Sequence, residues 1–255
     1  KDGVVSTAIH CATGAVLTSQ DIECSETVVG MMGTGPFVDA LAAGADVIVA
    51  GRAVDAAVIA SFPVYKGCDP GLAYHMGDIM ECAESCAEEI APTLRALGHN
   101  RIPIIGRIDA QGFVLQPAVD TLACTPESCL MHSAYERTSL HSIKVPEGTI
   151  DRSGSRYDKF GNNATRVTGS RFEPEPYSIL LEGVRRAGYR SIFPIAVRTP
   201  AMVAQLDEIL ADTDRIQQAM FGADGQFRIH WHKYGDDAVL QRAEASHARH
   251  EVGVL

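Results

Sequence analysis

One stretch, residues 44–86, constrains the fold of this chain more than any other. Residues 46–50, Asp-Val-Ile-Val-Ala, form a short apolar, β-branched run between Gly44 and Gly51, which predicts a strand covered on both faces. Gly51 permits a tight turn at its end, so Arg52 and Asp55 are expected where open α/β sheets bind ligands. A short helix should open near Asp55, a Pro/Gly loop should span 63–71, and a long helix should start at Leu72. A strand, a glycine turn and a helix in that order predict an α/β fold, and this is the first place to look for a site.

The long helix is expected to run from Leu72 to residue 91, to break at Pro92, and to end by Gly98. On it His75, Asp78, Cys82, Cys86 and Glu89 fall near one stripe, while Glu81 and Glu88 point elsewhere. A His/Asp/Cys stripe offers an acid/base group or metal ligands. Met76, Ile79, Met80 and Ala83 share the helix, so the same pattern also fits core cysteines and a satisfied structural histidine.

Before this stretch the sequence is less informative. The first thirty residues carry little pattern. Residues 30–36, Gly-Met-Met-Gly-Thr-Gly-Pro, then make a glycine-rich turn that opens a helix over 37–43, with Pro36 at its first position. Free amides at such a turn bind anions, but the spacing fits neither the dinucleotide fingerprint nor the P-loop, so close backbone approach is the competing reading.

After residue 100 strands dominate. Residues 102–105 and 112–116 read as two strands joined through Ala110 and Gln111, flanking Arg107 and Asp109. Thr125-Pro126-Glu127 is a helix start, with the helix expected to reach Glu136; the spacing of Cys124 and Cys129 across it matches no common metal site. Pro146 to Gly148 marks a turn, and 151–163 reads as a polar loop of lid-like length. Strands are expected over 165–171 and 177–182, linked as a pair, and again over 189–197. A helix should follow from Thr199-Pro200 to Met220. Residues 226–234 alternate, placing His230 and His232 on one strand face, where two imidazoles can bind a metal or simply face solvent. The expected architecture is thus α/β, a mixed sheet flanked by helices with a more strand-rich second half, divided into 1–100 and 101–255.

Charge and cysteine usage narrow the function. With 32 acidic against 22 basic residues and no basic stripe, the formal charge of −10 argues against a nucleic-acid binder. No apolar run is long enough for a transmembrane helix, and no secretory signal is legible. Seven cysteines without a recurring spacing read as reduced thiols, so cytoplasm is the expected compartment, with an organellar matrix as the alternative. The chain starts at Lys1 and stops on the apolar run 252–255, and a piece of a longer protein is expected.

Several phrases in order resemble the acyclic terpene utilisation (AtuA-type) family. They are Ala45-Asp-Val-Ile-Val-Ala-Gly-Arg-Ala53, Asp69-Pro-Gly-Leu-Ala-Tyr-His-Met-Gly77 with Ile79-Met-Glu-Cys82, Ile105-Gly-Arg-Ile-Asp109 with Gly112-Phe-Val-Leu-Gln-Pro117, and Arg166-Val-Thr-Gly-Ser-Arg-Phe172. The likeness continues through Leu181-Glu-Gly183 and Gly188-Tyr-Arg190, and is weakest before residue 30. The resemblance implies a longer protein, a catabolic role in the breakdown of acyclic terpenes or organic acids through CoA thioesters, and a small companion protein or fused domain. It supplies no catalytic residues to carry across.

Resemblance and residues together suggest a hydratase or lyase acting on a branched carboxylic acid or its CoA thioester. Asp55, His75, Glu81, Asp109 and Glu182 are the acid/base candidates. Arg52, Arg107 and Arg171 supply forks for carboxylate or phosphate, with Gly51 and Ser170 completing the substrate-binding set. The bland alternatives are ion pairs of Arg107 with Asp109 and of Arg171 with Glu182, a capping role for Asp55, and a surface position for Glu81. A metal-dependent hydrolase or lyase using a divalent metal on His75, Asp78, His230 or His232 is a second hypothesis. A non-catalytic subunit working with the companion protein is a third, and a homo-oligomer is expected in any case.

Overall fold

A computed structural model describes residues 8–10, 13–91, 102–135, 139–222 and 227–234. It divides into two units, residues 1–186 and 187–255.

The first unit is organised around one helix. α1 (Ser19–Glu23) and β1 (Thr27–Met31) lead to α2 (Gly35–Ala42), α3 (Asp55–Tyr65) and α4 (Pro70–Met80). α4 starts sharply because Asp69 accepts from the Leu72 amide at 3.1 Å and Pro70 stands at its first position. From Gly71 to Ile79 every residue of α4 is buried, which a helix achieves only with neighbours on all sides. Glycines bring those neighbours close. A Cβ on Gly77 would lie 2.5 Å from the Ala56 carbonyl oxygen of α3, and one on Gly71 would lie 2.5 Å from the backbone of Arg171. The small Ala56, Ala57 and Ala60 of α3 permit the same approach from the other side.

After α4 come a 3₁₀ turn (Ala83–Cys86) and the strands β2 (Glu88–Glu89), β3 (Ile104–Ile108), β4 (Gly112–Pro117) and β5 (Leu122–Ala123). Then follow α5 (Pro126–Ser133), β6 (Ser142–Val145), β7 (Gly148–Asp151), β8 (Arg156–Phe160), β9 (Ala164–Thr168), β10 (Arg171–Pro174) and β11 (Leu180–Val184). The paired strands are antiparallel and form small sheets in the orders β3-β4-β9-β8, β10-β7-β6, β1-β11 and β2-β5. One face of the four-stranded sheet closes on α4: Leu72, Met76 and Ile79 meet Ile104, Phe113, Leu115 and Val167, with Cys86, Cys124 and Cys129 in the same cluster. A second cluster joins Ala73 and Tyr74 of α4 to α3 and to Ile143, Val145 and Ile150 of the β6–β7 hairpin. α4 is therefore clamped between two sheets. Each fully buried side chain of this size stabilises the fold by roughly 1.5–3 kcal/mol.

In the second unit α6 (Pro200–Ala204) and α7 (Leu206–Phe221) follow Thr199. Trp231 donates its indole N–H to Asp214 at 3.0 Å, and the rings of Phe221 and Phe227 meet edge to face at 5.3 Å. These contacts hold 227–234 against α7.

The α/β class and the strand-rich second half stand, as do α2, α3, the β3–β4 hairpin and the Thr125-Pro126 start of α5. Several element assignments need correction. Residues 46–50 are not a strand: nothing among the described residues pairs with them, and Val47 and Val49 are 81% and 94% exposed. Just after this segment, the parallel bridge Met32–Ala53 ties the chain to the end of β1. α3 runs through Pro63 to Tyr65, since a proline near a helix end forfeits little. α4 stops at Met80, where Ala83 takes a φ of 48° and the chain tightens into the 3₁₀ turn, so Cys82, Cys86 and Glu89 leave the helical stripe. Its proposed continuation over 92–98 lies outside the described residues, as does Glu136. The polar loop 151–163 contains β8, an edge strand whose charged residues face solvent. Strands β9 and β11 do not pair with each other; β11 pairs with β1, and β10 between them pairs with β7. Residues 189–197 and 227–234 form no strand, and Tyr189, Ile192 and Phe193 stand 80–90% exposed.

Candidate functional site

The clamp on α4 forces His75 into a dry position between the helix and the four-stranded sheet. Its ring is fully buried and meets Phe113 and Tyr157 edge to face, at 5.5 and 5.8 Å between centroids. Both ring nitrogens are engaged. Nδ1 lies 2.6 Å from Ser170 Oγ, and Nε2 lies 3.0 Å from both Ser133 Oγ and the Tyr157 hydroxyl. Arg152 can only donate, so Ser133 Oγ accepts from its Nη1 at 2.5 Å. Arg152 Nη1 also reaches Asp78 at 3.1 Å in an ion pair that is 2% exposed on each side. Burial, with the Arg152 charge adding to it, holds the His75 pKa down to about 3. The imidazole is therefore neutral and works as a bridge between hydroxyls.

The hydroxyl chain leads outward. Ser170 is 7% exposed, and its Oγ lies 3.3 Å from that of half-buried Ser155. A chain of side chains thus connects the surface with the buried Arg152–Asp78 pair. Burial raises the Tyr157 pKa, keeping that hydroxyl a donor.

A second grouping lies on the surface. Arg52 Nη1 sits 2.7 Å from Asp55 and Arg52 Nε 2.9 Å from Glu182, a residue 130 positions along the chain. Asp55 opens α3, whose preceding residue, Val54, offers no side-chain cap. Glu182 stands on β11, which pairs with β1, and Met32 just after β1 exchanges backbone hydrogen bonds with Arg52 and Val54. The register of these strands is what delivers Glu182 to Arg52. All three side chains are 41–58% exposed, so a ligand can reach them.

The ten residues singled out in the sequence divide between these places and the periphery. Arg52, Asp55 and Glu182 meet, beside Gly51, and His75 meets Ser170. Asp109 pairs instead with Arg166 at 2.9 Å, and its pKa is lowered first by the Gln111 amide and then by Arg166. Arg107 donates to Gln116 at 2.8 Å. Arg171 begins β10 on the surface and Glu81 is half-buried at the end of α4. Neither the Arg107–Asp109 nor the Arg171–Glu182 pairing forms. Ser133, Arg152, Ser155 and Tyr157 escaped the sequence reading because three of them sit in the segment read as a loop.

The glycine-rich turn binds an anion, and the anion belongs to the chain. Glu147, between β6 and β7, accepts from the Gly35 amide at 3.2 Å, from Thr34 Oγ1 at 3.2 Å and from the Tyr74 hydroxyl at 2.7 Å. It caps α2 from outside, and a Cβ on Gly33 would collide with its carboxylate. Among the described residues no three His, Cys, Asp or Glu side chains are grouped to hold a metal. His230 and His232 stand in the second unit.

Comparison with known proteins gives one positive finding. The family model described as acyclic terpene utilisation family protein AtuA matches residues 5–254. No curated protein and no solved structure matches the chain.

Proposed function

The chain belongs to the acyclic terpene utilisation (AtuA) family, and from that premise we propose a catabolic hydratase or lyase acting on a branched carboxylic acid or its CoA thioester, with Arg52, Asp55 and Glu182 facing the substrate. The observation that carries this reading is the exposed contact of one guanidinium with two carboxylates drawn from distant parts of the chain. A substrate carboxylate or CoA phosphate competes for the Arg52 fork, which favours planar anions. The carboxylate it displaces is left beside the substrate with its proton acceptor free. It then takes a proton from the carbon next to the carbonyl, while backbone amides at Gly51 and the start of α3 face the developing enolate oxygen. Ser170 and neutral His75 form a separate buried pair that does not take up the proton.

A thermal-shift screen of the intact protein tests this reading, because a ligand that binds only the folded state raises the melting temperature. Branched acids or their CoA thioesters should raise it, and Arg52→Ala should abolish the rise. A shift with divalent metal alone favours the metal-dependent alternative. A shift only on adding the companion protein favours the subunit reading.

A further inference from the structure

α3 is apolar on every side. From Ala56 to Val64 the one polar side chain is Ser61, and its hydroxyl is spent on the Ala57 carbonyl. A helix of that composition is ordinarily buried all round. Among the described residues only one side of it is covered. Ala57 and Ala60 are wholly buried in the cluster that joins α3 to α4 and the β6–β7 hairpin, whereas Val58 and Phe62 are each 56% exposed and Tyr65 is 38% exposed. Positions 58, 62 and 65 follow the i, i+4, i+7 spacing of a single helix stripe. The far half of that stripe is already assembled: the Phe62 and Tyr65 rings lie 6.4 Å apart between centroids, and the Lys66 ammonium stands over them at 5.3 and 4.8 Å. Asp55, three residues before Val58, begins the same stripe, so a carboxylate marks one end and an ammonium the other, about 16 Å apart along the axis.

We propose that this face of α3 docks on the same face of a second copy of the chain, with the two helices antiparallel about a two-fold axis. Val58 then packs on the partner's Phe62, and Phe62 on the partner's Val58. Asp55 comes level with the partner's Lys66, and the same contact repeats at the other end. Charge complementarity selects this occupant. A stripe with opposite charges at its two ends is complementary to its own reverse, which is what an isologous two-fold contact requires. The apolar centre supplies the driving force and the charged ends fix the register. One helix face is a small interface, so the dimer is concentration-dependent. The reading stands whether or not the Arg52 trio binds substrate.

Sedimentation velocity of the full chain over a dilution series tests this. The wild type should pass from dimer to monomer on dilution. Phe62→Asp should be monomeric throughout while keeping the circular-dichroism spectrum of the wild type. Lys66→Glu and Asp55→Lys should each dissociate at concentrations where the wild type is dimeric, since like charges then meet at both ends. Mixed together, the two variants should form a dimer again, because the mixed pair restores an opposite-charge contact at each end; that recovery also shows that both variants fold. A wild type that stays monomeric at every concentration leaves the stripe to another occupant and overturns the proposal. So does a dimer that survives Phe62→Asp, or a charge-reversed pair that fails to recombine.

Discussion

The His75 ring nitrogen Nδ1 and the Ser170 hydroxyl lie 2.6 Å apart across 95 residues of sequence, with the ring wholly dry. A serine beside a histidine invites comparison with nucleophile and base, but a base must accept a proton. Here burial, with Arg152 adding to it, holds the His75 pKa near 3, so the pair serves as a hydrogen-bond bridge at neutral pH. The pH dependence has a definite sign. The unfolded histidine binds its proton below about 6.5 and the folded one does not until about 3, so acidification between those values favours the unfolded chain. We expect His75 alone to contribute a slope of about 1.4 kcal/mol per pH unit across that window, with stability rising as pH rises. Urea melts of wild type and His75→Gln from pH 4 to 7 check this; the variant should show a shallower dependence.

Arg152 and Asp78 should behave as a single unit. Both are 2% exposed, and Arg152 also donates to the Ser133 carbonyl and hydroxyl. Asp78→Asn or Arg152→Met alone leaves a charge buried without its counter-charge, at a cost of about 3–5 kcal/mol. The double variant should lose much less than the sum, and a double-mutant cycle by denaturant melts measures the difference. Additive losses would show that the two charges do not depend on each other.

Gly33 and Glu147 make a similar test of the turn before α2. Gly33→Ala pushes a methyl group against a carboxylate that three donors hold in place, and overpacking of this kind costs about 1–3 kcal/mol. Trimming the obstacle should relieve the strain, so Gly33→Ala combined with Glu147→Ala should be milder than the two losses added. Thermal melts of the four proteins decide the point.

The parts of the fold that could be read from sequence are those whose cause is local. Asp69-Pro70 and Thr125-Pro126 announce α4 and α5 because capping and proline chemistry act within a few residues. Residues 46–50 misled because a β-branched run specifies a strand only where a partner supplies the ladder, and here the run is exposed. The segment 151–163 misled in the opposite direction: its polar composition hid an edge strand that carries Tyr157 to His75. The site shows the same division. The Gly51-Arg52 turn marked Arg52 and Asp55, but the choice of Glu182 as their partner depends on the β1–β11 register, which no local pattern encodes. Likewise, the glycine turn at Gly33 announced an anion contact without revealing that the anion is Glu147.

The surface trio separates a binding role from a structural one. Arg52 is 41% exposed in its side chain and its partners are more so, and exposed ion pairs contribute about 1 kcal/mol or less. Arg52→Ala should therefore leave the melting temperature of the free protein almost unchanged while removing the rise caused by a branched acid or its CoA thioester. Arg52→Lys keeps the charge but loses the fork, so it should restore only part of that rise. Glu182→Gln keeps a neutral side chain of the same shape, and with the fork intact it should retain the ligand-induced shift while turnover falls by about 10²–10⁴, the usual worth of a positioned acid or base. Asp55→Asn, tested beside it, should leave kcat unchanged; a fall in kcat there, with Glu182→Gln unaffected, would assign the proton transfer to Asp55 instead. If Arg52→Ala keeps the full ligand-induced shift, the substrate binds elsewhere and the trio is only a surface ion network.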